Sequence, residues 1–424
     1  LQGLDVDAPV GVQLEGTQGV TLSDIRFNGS YTALLATNCA RLRVARLTSV
    51  GGFAVDASAC FDVDLSEVDA HASVFALRAV ASSRWRVDGL RAADSTSGVT
   101  LRGSSDFLFT NLSAEFSSRG FVITVGSGNI TLLAPQFATP SGNASLTLLE
   151  ASYATEVRVE NLTFRGTCRQ AALVQYSSRV DLLGFDAQTC GEGVEVASSR
   201  FVNLTGLRLA GAFNGSALTF SASTDVFVSG GNLTGAAESA IVVVGSDRAL
   251  LGDLDGRGAG AEGALLAFVS NLTLDTVNLD GAGGAGLRIL YGAPNVTVRR
   301  VSARGAPSGV ELLASPGASL EGVDASDTGG TGVYVDPLSP GVLLRNITAA
   351  RNFGNGLVVA VNGTRLIDGN FSGNGQAALG VAPFIRLDWE VEGLATLVDE
   401  TVDLTGDLKV AQGGALRIVR SNVT

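Results

Sequence analysis

The sequence predicts an all-β solenoid, a parallel β-helix with three short strands in each coil. Three observations carry this expectation: an apolar segment recurring at nearly constant spacing, apolar alternation at period two with no helical period, and 54 glycines among 424 residues. The apolar segment, often led by a small residue, begins at Gly11, Ala33, Phe53, Phe75, Gly98, Gly120, Leu146, Ala171 and Gly193. It begins again at Ala217, Ala240, Ala264, Gly286, Gly309, Gly332, Gly356 and Ala378. These seventeen anchors lie 20 to 26 residues apart, about 23 on average. A fixed period of that size marks a repeat architecture and displaces the two or three globular domains that length alone would suggest.

Between anchors, two short alternating strands flank about two polar or glycine residues. Val20–Leu22 and Ile25–Phe27 flank Ser23 and Asp24, and Trp85–Val87 and Leu90–Ala92 flank Asp88 and Gly89. Such triplets, rich in β-branched residues, read as strands. Three strands in about 23 residues close one coil, and each strand then pairs with the coils above and below at about 4.8 Å. Inward positions take Val, Leu, Ile, Phe and Ala, while outward ones take Ser, Thr, Asp, Arg and Asn. Glycine, asparagine and aspartate are expected at the corners, where tight turns use positive φ.

Composition excludes several classes. The chain is 46% hydrophobic and 17% charged, which is enough apolar surface to fold. With 29 basic and 41 acidic residues, its net charge of −12 and the lack of a basic stripe argue against nucleic acid as a partner. Glycine shows no three-residue period, which excludes collagen. No apolar run reaches the roughly 18 residues of a membrane span, so none is expected in this segment. Methionine is absent, His71 is the one histidine and Lys409 the one lysine.

On coil length, three-strand rhythm and Asn or Asp at the short turn, residues 5–383 resemble the right-handed parallel β-helix, or pectin-lyase-like, superfamily. The resemblance implies a right-handed solenoid of about seventeen coils, and parallel crossovers favour that hand in any case. The predicted division is a β-helix over 1–383 and a C-terminal β tail over 384–424. The tail serves either as a cap or as a connection to the next subunit.

Cys39 and Cys60 are 21 residues apart, and Cys168 and Cys190 are 22 apart, about one coil in each case. Each pair should stack at one corner of adjacent coils, within reach of a disulfide. The expected bridges are Cys39–Cys60 and Cys168–Cys190, with free thiols in an internal stack as the alternative. Without a CxxC pair or a nearby histidine, no metal site is expected. Fourteen of nineteen asparagines stand in N-x-S/T: Asn28, Asn111, Asn129, Asn143, Asn161, Asn203, Asn214, Asn232, Asn271, Asn295, Asn346, Asn362, Asn370 and Asn422. Turn preference explains asparagine at a corner, but not Ser or Thr two positions later. These sites are therefore expected to carry N-glycans. Disulfides and sequons together indicate an extracellular or cell-surface protein. The absence of a signal peptide before Leu1 reads as a mature or excised segment.

Members of the superfamily often cleave or epimerise acidic polysaccharides. The Asp-Asp, Asn-Thr-Asp and Gly-His-Gly motifs of polygalacturonase-like members are absent, and Arg288-Ile289-Leu290 is only a partial match to their Arg-Ile-Lys. Asp336-Pro337-Leu338 stands where the epimerase type needs Asp-Pro-His. Asp253, Asp255, Asp275 and Asp280 read as solvated corner carboxylates, His71 as a solvated turn residue, and the glycine runs at 256–263 and 281–286 as corners. Trp85 and Trp389 are weak candidates for stacking on sugar. No catalytic residue, cofactor or enzymatic activity is expected.

The sequence-level expectation is thus a structural extracellular glycoprotein, a subunit of a filament or surface layer that self-associates end to end. The alternative is a glycan-binding or adhesin module, or a polysaccharide lyase or hydrolase. A sequon-free face bearing exposed aromatics and Asp or Arg discriminates in favour of glycan binding.

Overall fold

The computed structural model describes residues 1–139, 146–212, 214–291, 295–382, 385–398, 401–402 and 406–423. All seventeen anchors begin on a strand or one residue before it, from Val10–Glu15 to Leu379–Val381. Every strand pairing among the described residues is parallel, and these residues include no helix. The chain is an all-β parallel solenoid of about seventeen coils. It divides into two compact units, Leu1–Leu209 and Ala210–Thr424.

In the first unit, anchor residues stack in one inward column. Val12 pairs with Leu34, Leu34 with Val55, Val55 with Leu77 and Leu77 with Val99. All five side chains are buried. Aromatic rings extend the core sideways. Trp85 stacks on Phe107 at 5.2 Å, and Phe107 on Phe109 at 6.0 Å. The indole N–H of Trp85 donates to the Cys60 carbonyl at 3.2 Å, so this tryptophan belongs to the core and presents no face to a sugar. In the second unit Trp389 is equally buried, edge-on to Phe371.

The second unit also shows how the tail is used. Asp388–Val391 pairs with Arg365–Asn370 on one side and Leu408–Val410 on the other. Leu394–Val398 likewise pairs with Ala415–Val419. The described strands after 384 therefore stack in parallel register, continuing the coil pattern. A buried asparagine ladder lies inside this unit: Asn352 Oδ1 accepts from the Thr328 N–H and hydroxyl, each at 2.8 Å, and the Asn352 N–H donates to Asn374 Oδ1 at 2.9 Å.

The corners differ from the composition expected of them. One corner of the first unit holds Arg41, Asp62, Arg84, Asp106, Asn129, Glu156 and Arg179, all with φ between +53° and +59°. Another holds Asn38, Ala59, Ala81, Tyr153, Tyr176 and Ser198, again left-handed. A left-handed L-residue costs roughly 1–2 kcal/mol. Inter-coil bonds at the same residues offset it: Ala59 N–H donates to Val80 O and Ala81 N–H to Arg102 O, each at 2.9 Å. Much of the glycine instead serves close approach. Gly120 has no left-handed φ, yet a Cβ there would meet the Leu148 carbonyl oxygen at 2.1 Å.

The cysteines divide. Cys168 and Cys190 occupy directly paired positions and form a disulfide, with Cα atoms 4.4 Å apart. Cys39 and Cys60 are free and buried, contrary to the expected second bridge. They head a ladder of buried hydroxyls at one register. The N–H groups of Cys60, Ser82 and Ser104 donate to the hydroxyls of Ser82, Ser104 and Ser127, each at 3.2 Å. The thiols adopt the serine role: Cys60 Sγ donates to Ala36 O and Ser58 O at 3.4 Å, and Cys39 Sγ to Thr37 O at 3.4 Å. Burial pushes the Cys60 thiol up to about 11, which holds it protonated at neutral pH. Two results are therefore expected. Cys39→Ser with Cys60→Ser should leave the melting temperature nearly unchanged and abolish alkylation of the unfolded chain. Replacing Cys168 and Cys190 by alanine opens a loop of 22 residues and should cost about 3 kcal/mol in denaturant unfolding.

Candidate functional site

Charged side chains on the first unit fall into two arrangements. On one face, corner residues alternate in sign from coil to coil and neutralise each other. Arg84 grips Asp62 through two bonds of 2.6 and 3.0 Å, and Arg46 holds Asp24 at 2.5 and 2.9 Å. The Arg46 guanidinium lowers the Asp24 carboxyl to about 2, and Arg84 lowers Asp62 in the same way. A depressed folded-state pKa contributes stability that is present above the ordinary carboxylate range and lost as pH falls through the folded value. The melting temperature should therefore hold steady down to about pH 4 and decline from there towards pH 2. Asp24→Asn should remove part of that decline, and high salt should flatten it. A cavity of about 690 Å³ lies on this face, lined by Arg41, Arg43, Asp62, Asp64, Arg84, Arg86 and Asp106. Most of its charge is committed to inter-coil pairs, Arg43 with Asp64 at 3.6 Å among them.

The other arrangement follows the third strand of each coil. Its outward column runs through Arg26, Thr48, Asp69, Arg91, Ser113, Gln136, Thr163 and Asp186, each in parallel register with the next. A groove of about 620 Å³ covers the stretch from Arg91 to Asp186. Alanines fill the positions between its charges: Ala93 and Ala138 point outward beside Arg91 and Gln136, and Ala92 and Ala114 back them from within. The polar margin is Arg91, Glu115, Gln136, Arg165 and Asp186.

Among the described residues, Arg91, Arg165 and Glu115 make no ion pair and no side-chain hydrogen bond. Local sequence explains why Arg91 is left over. Its register partner Asp69 faces His71, whose Nε2 lies 3.0 Å from Asp69 Oδ1, at ion-pair distance but out of hydrogen-bond alignment. On the other side Arg91 meets Ser113, which carries no charge. Asp186 accepts from Gln188 at 3.1 Å and lies 3.6 Å from Arg208. The groove thus offers two uncommitted guanidiniums three coil steps apart, ~14 Å at the inter-strand spacing. Between them it offers an uncommitted carboxylate, an amide and hydroxyls. Such a set can hold anionic groups bidentately, bond hydroxyls and move a proton.

Several sequence-level candidates sit elsewhere. His71 ends the strand Phe61–His71 and borders the groove one coil before Ala93, so it is a half-exposed strand residue and not a turn residue. Asp255 and Asp280 are taken by Arg257 and Arg304, and Asp275 by Arg300. Among the described residues no group of acidic, histidine or cysteine side chains could hold a metal ion.

Ten sequon asparagines are exposed: Asn28, Asn111, Asn129, Asn161, Asn214, Asn232, Asn271, Asn295, Asn346 and Asn362. Asn203 and Asn370 are half-buried, Asn143 lies outside the described residues, and the side chain of Asn422 does too. Six of the exposed ones, at 111, 129, 161, 271, 295 and 346, are left-handed corner residues. At three of them the amide nitrogen bonds a carboxylate one coil back: Asn111 to Asp88 and Asn129 to Asp106 at 2.7 Å, and Asn271 to Asp247 at 2.8 Å.

Residues 239–382 match the family model described as a right handed beta helix region. With the parallel register throughout, that match identifies the fold as the right-handed parallel β-helix that the coil rhythm resembles. No curated protein matches the chain. Among solved structures, the A-module of the mannuronan C-5 epimerase AlgE6 from Azotobacter vinelandii is 11% identical, covering 70% of this chain and 90% of its own, with a TM-score of 0.44. A mannuronic acid specific polysaccharide family 6 lyase from human gut microbiota is 10% identical over 73% and 78%, with a TM-score of 0.29. PfbA, a surface adhesin of Streptococcus pneumoniae, is 11% identical over 85% and 83%, with a TM-score of 0.21. The expectation that the chain is not an enzyme rested on missing motifs and does not stand. Epimerases and a lyase are among the similar structures, so absence of those motifs does not separate scaffold from catalyst.

Proposed function

We propose that this right-handed β-helix is an extracellular carbohydrate-binding protein that holds a uronate-bearing polysaccharide in the groove between Arg91 and Asp186. One observation carries the reading. Most arginines of the chain are ion-paired, yet two guanidiniums and one carboxylate of this groove stand uncommitted among the described residues, over a floor of small side chains. Two arginines about three coils apart can each take a separate carboxylate of one polyuronate chain, whereas nucleic acid needs a continuous basic track. Long-range repulsion from the net charge of −12 is screened beyond about 8 Å at physiological salt. Glu115 and the Asp69–His71 pair add groups able to move a proton beside the bound chain. The Cys168–Cys190 disulfide supports an extracytoplasmic setting, and the exposed sequons support N-glycosylation there. Asn111 and Asn161 lie at the corner that leads into the groove, so glycans on them would border it.

The test is a screen of alginate, pectate and neutral polymers at about 0.15 M salt, read for both retention and chemical change of the polymer. Retention of at least one uronate polymer is expected, and retention of none defeats the reading. A structural subunit of a filament or surface layer, self-associating end to end, is the second reading. Its support is the parallel stacking within each unit with no covering helix among the described residues. Micrographs of the native protein distinguish it by filaments or a lattice.

A further inference from the structure

A second feature of the first unit lies at a different corner from the one leading into the groove. Tyr153 and Tyr176 follow the strands Thr147–Ser152 and Cys168–Gln175 and occupy equivalent positions in adjacent coils. Their rings stack at 4.7 Å with planes 13° apart, and each residue is 54% exposed. Both are left-handed, with φ of +54° and +51°, a conformation disfavoured for bulky side chains. Other coils put Gly16, Ala59, Ala81, Gly103 and Ser198 at this corner, so the fold does not require a ring there.

The surroundings define what the pair fits. The outer face of Tyr176 looks towards the next coil, where the corner residue is Ser198. Serine in place of a ring leaves the outer face of Tyr176 uncovered, free to meet the apolar face of a saturated sugar ring. Polar groups stand immediately before the tyrosines: Gln175 Nε2 donates to the Ser152 hydroxyl at 2.9 Å, which donates to Glu150 Oε1 at 3.1 Å. No sequon asparagine occupies this corner among the described coils of the first unit, whereas Asn111, Asn129 and Asn161 occupy the other two. A glycosylated chain would therefore keep the tyrosines accessible. The same device recurs independently in the second unit, where Phe268 and Tyr291, both left-handed, stack at 5.3 Å.

We infer that the Tyr153–Tyr176 corner is a carbohydrate-stacking subsite, separate from the groove, which takes the apolar face of a neutral pyranose onto the uncovered outer face of Tyr176. Gln175, directly before Tyr176, supplies a hydroxyl partner. The site needs no charge on the sugar, so its ligand class differs from that of the groove and does not depend on it.

The experiment is affinity electrophoresis of the full chain in gels containing xyloglucan, β-glucan or galactomannan. Retardation of the wild type by at least one of these is expected. Tyr153→Ala with Tyr176→Ala should weaken it about tenfold or more. Ser198→Tyr, which keeps both tyrosines and covers the outer face of Tyr176, should weaken it as well. Arg91→Ala with Arg165→Ala should leave it unchanged, which separates this site from the groove. Absence of retardation by all three polymers overturns the inference, as does retardation indifferent to both tyrosine-corner variants. Concentration-dependent dimers that the tyrosine variants abolish would overturn it too, by assigning the corner to a second copy of this chain.

Discussion

Alanine at both Arg91 and Arg165 is expected to weaken binding of a uronate polysaccharide by about a hundredfold or more. The estimate follows from charge-assisted hydrogen bonds, worth roughly 1.5–3 kcal/mol each, or about tenfold to a hundredfold per arginine. Neither guanidinium is committed within the protein among the described residues, so removing it should leave no carboxylate stranded and should leave the melting temperature nearly unchanged. Titration calorimetry against alginate or pectate oligomers reads the effect. Lysine at both positions should recover part of the affinity, because it keeps the charge but not the bidentate geometry. Arg84→Ala is the contrasting control. It breaks the pair with Asp62 on the self-neutralised face and should not change affinity. Affinity unchanged by R91A/R165A would remove the groove from the account.

The largest stability effect is expected in the aromatic core. Phe107 is buried between Trp85 and Phe109, and its register partners are Trp85 and Ile130. Phe107→Ala removes a ring from both stacks, and inter-coil hydrogen bonding resists collapse of the space left behind. The expected cost is about 3–5 kcal/mol by urea unfolding, against less than about 1.5 kcal/mol for Phe107→Leu. A loss below about 1 kcal/mol for the alanine variant would show that the coils relax around the cavity, contrary to rigid stacking.

The coils were legible because stacking imposes one residue type at one register, turn after turn. That is why Val12, Leu34, Val55, Leu77 and Val99 stand out at constant spacing. The Cys168–Cys190 bridge was legible for the same reason. Cys39 and Cys60 share that spacing, yet Ser82, Ser104 and Ser127 follow at the same register. Those serines were the overlooked signal, for they mark an inward position where a thiol behaves as a serine hydroxyl does. Trp85 was open to a surface reading until its place in the inward column of Val63 and Phe107 was fixed.

The groove was less legible, because a site of this kind is defined by what fails to pair. Arg91 becomes available only because Asp69 faces His71 and Ser113 is neutral, relations that run one coil along the axis and not along the chain. Aligning the coils by register would have exposed the column from Arg26 to Asp186 and its unmatched charges. The tyrosine corner was hidden by the assumption that corners want glycine, asparagine or aspartate. In this solenoid inter-coil bonds hold even Tyr153 and Tyr176 left-handed.

A crystal structure of the protein with a uronate oligosaccharide would place the ligand outright. The sugar is expected along the solenoid axis over Ala93 and Ala138, with carboxylates on the Arg91 and Arg165 guanidiniums. An oligosaccharide bound elsewhere, with both guanidiniums left to solvent, would contradict the account.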